Sequence, residues 1–125
     1  MNRAIPSVNW FEIPVNNIDR AKYFYECVLG YPLKLNEADN LKRAWFPKDS
    51  NGIGSSGTLV EGNGYKPSKE GTLVYLHVDN IEKTLDKIAD NGGTVINPKT
   101  AFGEHGSIAH FEDLEGNKVA LHSNN

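Results

Sequence analysis

Few side chains in this 125-residue chain combine reactive chemistry with an apolar setting, and Glu12 is the first of them. Residues 8–15, VNWFEIPV, alternate so that Phe11, Ile13 and Val15 share one side and Trp10, Glu12 and Pro14 the other. A carboxylate on such a face either ionises against a partner or has its pKa raised by desolvation. That suits a general base, or an anchor for a ligand amine or hydroxyl; it equally suits a structural hydrogen bond to a neighbour such as Tyr75 or His77. Residues 73–78, LVYLHV, alternate in the same way and place Leu73, Tyr75 and His77 together. His122 falls on the matching side of the last strand. His77 and His122 are candidate ligand contacts, and both also fit the ordinary role of satisfied polar strand residues. Trp10 and Tyr75 could wall a planar ligand, although Trp10 could also simply fill space.

The remaining reactive residues invite blander readings. His105 lies in the loop FGEHG at 102–106, where it is expected in solvent or on a lid, and His110 has no clear face. Trp45 suits core and pocket equally. Cys27 sits within an apolar helical stripe and reads as buried. Lysines in the run 66–69 read as a solvated linker.

The elements that must position these residues come in two copies. Sliding LVYLHVDNIEKTLDKIADNGG (73–93) onto the segment 10–30 at one offset lays Val78-Asp79-Asn80-Ile81 on Val15-Asn16-Asn17-Ile18 and Gly93 on Gly30. Each copy reads as strand, polar cap, helix and glycine stop. Asn16 or Asn17 caps the first helix, with Asp19 in its first turn; Asn80 caps the second, followed by Glu82. Ala21, Phe24, Tyr25, Val28 and Leu29 form one apolar stripe ending at Gly30. Strands are expected near 32–36, 43–47 and 56–61, with Asp49-Ser50-Asn51-Gly52 turning the last pair, and again near 94–97, 107–112 and 118–122. GNGYKPSKEG at 62–71 carries turn residues and no apolar period. The expectation is one α+β domain over 1–125 made of two tandem βαβββ modules: module one at 5–62, linker at 63–71, module two at 72–123. Two such modules side by side would form an open half-barrel. Its concave face would carry Trp10, Glu12, Pro14, Leu73, Tyr75 and His77, with Thr58, Val60, Ala120 and His122 from the closing strands.

Composition narrows the function classes. A formal charge of −3 with dispersed lysines and arginines argues against a nucleic-acid footprint. No stretch approaches the roughly 20 apolar residues of a membrane span. The single cysteine excludes an intrachain disulfide, and no secretory leader is evident, so a cytoplasmic protein is expected.

Several motifs in order resemble the glyoxalase, bleomycin-resistance and extradiol-dioxygenase superfamily, also called the vicinal oxygen chelate fold. They are the first strand with Val15-x-Asn17-Ile18, the helix with Phe24-Tyr25-x-x-Val28-Leu29-Gly30, and Asp113-x-Glu115-Gly116-Asn117 before an apolar strand. Leu114 replaces the proline usual in that last motif. The resemblance implies a homodimer, a small-molecule ligand and a divalent metal held by one ligand from each of four strands. The corresponding positions here are Trp10, Thr58, Leu73 and Ala120. Those side chains imply no cofactor and no metal, a divalent ion on unfamiliar ligands being the alternative. The expected function is therefore metal-independent binding of a small, partly apolar molecule, by sequestration or by acid–base chemistry through Glu12. The alternatives are a metal-dependent lyase or dioxygenase with non-standard ligands, and a dimer-forming interaction protein with a filled cavity.

Overall fold

The computed structural model describes residues 7–48 and 55–125. Strand β1 (Trp10–Pro14) leads into helix α1 (Ile18–Leu29), followed by β2 (Lys34–Ala38), β3 (Leu41–Trp45) and β4 (Ser56–Glu61). The pattern then repeats as β5 (Tyr75–His77), α2 (Ile81–Asp90), β6 (Thr94–Ala101), a 3₁₀ turn (Gly103–His105), β7 (Ser107–Glu112) and β8 (Lys118–Ser123). The sheets have the orders β1-β4-β3-β2 and β5-β8-β7-β6. This is the expected α+β arrangement of two βαβββ units.

Local sequence explains each helix. Asn17 and Asn80 are extended caps whose side-chain oxygens accept from the Arg20 and Lys83 amides, satisfying one orphan donor in each first turn. Gly30, at φ 84°, ends α1 in the left-handed conformation that a side chain would strain. Helix α1 buries Ile18, Ala21, Phe24, Tyr25 and Val28, and α2 buries Ile81, Thr84, Leu85 and Ile88. These stripes meet Ile13, Val15, Ala44 and Leu59 of one sheet and Ala109, Phe111, Val119 and Leu121 of the other in one continuous core. Gly57 pairs with Phe11, and a side chain there would run into that ring, which is left free to lie against Phe46 at 5.5 Å between centroids.

Two strand pairs sit differently from expectation. Strands β2 and β3 reach the tip of their hairpin, because Asp39 and Asn40 take φ of 54° and 64° and make the tight two-residue turn that matches strand twist. The expected strands at 32–36 and 43–47 are accordingly displaced towards 34–38 and 41–45. Strand β6 runs on to Ala101, with register shifts on either side of Asn97 and all eight residues exposed. The expected turn at 49–52 lies outside the described residues. Among the described residues no helix is long and apolar enough to cross a membrane.

The two units are joined by a buried polar knot. Asp113 Oδ1 accepts from the Glu115 and Asn117 amides at 2.9 Å each, and Oδ2 accepts from the Tyr25 hydroxyl at 2.7 Å. Glu115 Oε1 accepts from the Asn16 and Asn17 amides at 2.6 and 3.0 Å, while Oε2 pairs with Arg20. Asn117 Nδ2 donates to the Pro14 carbonyl at 2.8 Å. Desolvation, followed by the nearby carboxylate of Asp113, raises the Tyr25 pKa well above its ordinary value of 10.0. Burial likewise raises Asp113, against the pull of its hydrogen bonds.

Replacing Tyr25 by Phe should therefore cost about 1–3 kcal/mol in urea unfolding, the penalty for a buried acceptor losing its donor. A folded-state pKa that is raised contributes stability present below the unfolded value and lost as pH climbs towards the folded one. The wild type should lose stability above pH 10.0; the variant should lack that portion of the loss, which a pH series of denaturation curves would show.

Candidate functional site

Cross-strand register decides which side chains meet on the faces away from the helices. In the first sheet Glu12 pairs with Thr58, and Thr58 with Trp45; Pro14 pairs with Val60, and Val60 with Arg43. In the second sheet Tyr75 pairs with Ala120, and Ala120 with His110; His77 pairs with His122, and His122 with Ile108. Thr58, Val60 and Ala120 are fully covered at 0% exposure, because β4 and β8 are central strands roofed by the larger side chains of their neighbours.

The open space lies elsewhere. A cleft of about 1040 Å³ runs along β1 and β5, one edge strand of each sheet, and takes its lining from both faces of each strand. Trp10, Glu12, Tyr75 and His77 all line it, and so do Leu73 and Pro14. Trp10 and Tyr75 are 58% and 48% exposed, so these aromatic surfaces stand in solvent unless something covers them. His122 does not line this cleft. Its Nε2 lies 2.6 Å from the His105 carbonyl, and its ring stands 6.0 Å from that of His77. Phe102 packs on His105, so this loop is tied back onto the sheet by His122.

Glu12 has a partner other than the two weighed from sequence: Arg43 Nε donates to its Oε2 at 3.2 Å, both side chains being roughly a quarter exposed. His110 belongs to the Tyr75 face, with ring centroids 6.1 Å apart; its Nδ1 meets Asn97, and its buried Nε2 has no partner among the described residues. Burial, then the charge of Lys118, lowers its pKa. Lys66, within the run read as a solvated linker, lines the cleft with Lys118. Cys27 is half-buried on α1.

Arg43 was not recognisable as the partner of Glu12, because the contact depends on the register between β3 and β4. Lys66 was hidden for a similar reason. Residues 66–68 are held to the second sheet by Ser68, whose amide donates to Asn117 Oδ1 at 3.0 Å, a contact across 49 residues.

Paired four-stranded sheets, each backed by one helix and open along β1 and β5, define the class of half-barrel folds with tandem βαβββ units. Residues 7–121 match the model of the Glyoxalase/Bleomycin resistance protein/Dioxygenase superfamily, and the chain belongs to that family. A glyoxylase-like domain-containing protein from Didymella fabae is 24% identical over 118 residues, covering 91% of each chain. Among solved structures, a glyoxylase/bleomycin resistance protein/dioxygenase domain from Frankia sp. EAN1pec superposes with a TM-score of 0.73 at 16% identity. The match covers 98% of this chain and all of that one. Glyoxalase I from Zea mays gives 0.65 at 19% identity over 92% of this chain, which spans only 45% of the maize protein.

The resemblance implies a divalent metal at four positions, and the donor chemistry there does not fit one. Trp10, Leu73 and Ala120 offer no ligand atom; Thr58 offers a hydroxyl, Oγ1, which is buried and has no partner among the described residues. A catalytic metal needs about three protein ligands converging at roughly 2 Å. Among the described residues no three His, Cys, Asp or Glu side chains cluster closely enough to supply them.

Because the Glu12–Arg43 pair is partly solvated, a double-mutant cycle of Glu12→Gln with Arg43→Gln should return a coupling of only about 0.2–1 kcal/mol in chemical unfolding. A larger coupling would mark the pair as a structural tie and weaken its claim to a ligand.

Proposed function

We propose that this chain binds a small, partly apolar organic molecule in the β1–β5 cleft without a metal, either sequestering it or acting on it by acid–base chemistry through Glu12. The observation that carries the reading is the cleft itself. Its volume, about 1040 Å³, is at the upper end of the range for small-molecule sites, and two exposed aromatic rings line it beside a few polar groups. Trp10 and Tyr75 would stack on a planar body, and His77 would supply a hydrogen bond from the β5 side. Glu12 would act as a base or anchor, with Arg43 fixing the direction of its Oε2. His122 stands beyond His77 and would act through it, by holding the 102–106 loop near that end. Pairing into a homodimer is part of the same proposal, as is a single domain over the whole chain.

A screen of planar aromatic fragments, read by tryptophan fluorescence, tests the reading. Binding should perturb the emission of wild type, and Trp10→Ala, which removes the reporter and is therefore titrated by calorimetry, should weaken a stacked fragment by about five- to a hundredfold, the loss expected when a stacking platform goes. Glu12→Gln should alter turnover or the affinity for hydroxyl- and amine-bearing fragments. Binding and turnover like wild type across the panel would remove Glu12 from the site. Elemental analysis of protein purified without chelator should find no stoichiometric zinc, nickel, manganese or iron; one equivalent of any of them would overturn the metal-free reading in favour of a lyase or dioxygenase. Light scattering after size exclusion reports the dimer.

A further inference from the structure

The charges lining the cleft are unequally engaged. Among the described residues its only lining carboxylate is Glu12, which is already matched by Arg43 at 3.2 Å. Lys66 and Lys118 line the same space, and neither is ion-paired among the described residues; their neighbour Lys69 is engaged by Glu112 at 3.4 Å. The two free lysines also share one end. Lys118 begins β8, its amide donating to the Ser68 carbonyl at 3.4 Å, and the Ser68 amide donates to Asn117 Oδ1. Asn117 Nδ2 in turn holds the Pro14 carbonyl, which brings this corner to the C-terminal end of β1. Trp10 is at the other end of that strand, about 13 Å away at the usual strand rise.

We propose that the molecule bound in the cleft carries a carboxylate or similar oxyanion on its planar apolar body, with the ring against Trp10 and Tyr75 and the anion held between Lys66 and Lys118. The inference rests on the reading of the cleft as a ligand site. Lys118 faces Glu112 across the strands, but that carboxylate is engaged by Lys69. Two ammonium groups outside any ion pair among the described residues give an apolar-walled groove a positive field that attracts anions and repels amines. A cationic ligand would instead have to take Glu12 from Arg43, leaving the guanidinium without its partner. The separation of the two ends also sets a size: a fused bicyclic ring bearing an acid group fits within it, the long lysine side chains covering the remaining distance.

Three isosteric probes separate the possibilities in calorimetric titration: 2-naphthoate, 2-naphthylmethanol and 2-naphthylmethylamine. The carboxylate should bind about tenfold more tightly than the alcohol, with two partly exposed lysines contributing, and the amine no more tightly than the alcohol. Raising salt should weaken the carboxylate selectively. The Lys66→Gln/Lys118→Gln double variant should bring carboxylate and alcohol within about twofold of each other while leaving the alcohol's affinity in place, which also shows that the variant is folded. Equal binding of carboxylate and alcohol by wild type, or an undiminished preference in the double variant, would overturn the anion assignment and leave the ligand site standing. Failure of all three probes to bind at millimolar concentration would overturn both.

Discussion

The Tyr25 hydroxyl on Asp113 is the contact on which the placement of everything else depends. It joins the helix of the first unit to the final turn of the second, across 88 residues. Around it, one carboxylate organises the turn from Asp113 to Asn117, and a second, Glu115, caps the start of α1. Helix N-termini carry unsatisfied amides and partial positive charge, so a buried carboxylate is stable there and its partner is held in one orientation. Asn117 then grips the last residue of β1. The consequence is that β1 is positioned by the second unit as well as by its own sheet, and the width of the cleft follows from this polar knot.

Much of the fold was legible because its patterns are short-range. Alternation in residues 10–15, the caps at Asn17 and Asn80 and the stop at Gly30 are local events with local causes, and β4 and β7 fall at the expected bounds. The hairpin turn at Asp39-Asn40 shows the limit. Both residues tolerate positive φ, yet nothing nearby forces it, and the displaced strands followed from that one choice. The signature Asp113-x-Glu115-Gly116-Asn117 could be recognised as a turn; its service to α1, across nearly a hundred residues, could not.

The site was legible in part for the same reason. Parity along a strand correctly put Trp10 and Glu12 on one face, and Tyr75 and His77 on another. It could not show that Thr58 and Ala120 are roofed over, or that the open space follows the sheet edges. Whether a strand is central or marginal is a property of the sheet, and no residue within the strand records it. Arg43 reaches Glu12 through strand register and Lys66 reaches the cleft through a tethered connector, so neither announced itself by type.

Strand β5 has only three residues and, among the described residues, pairs on one side alone, with β8; β1 likewise makes ladder bonds with β4 alone. Both walls of the cleft are therefore edge strands, and β5 is the shortest strand of its sheet. Edge strands open locally at free energies below that of global unfolding, whereas central strands such as β7 and β8 open with the core they cover. A groove with pliable rims on a rigid base can widen for a guest by releasing a few hydrogen bonds at its margin. The β5 rim can thus shift without disturbing the knot that holds β1 in place.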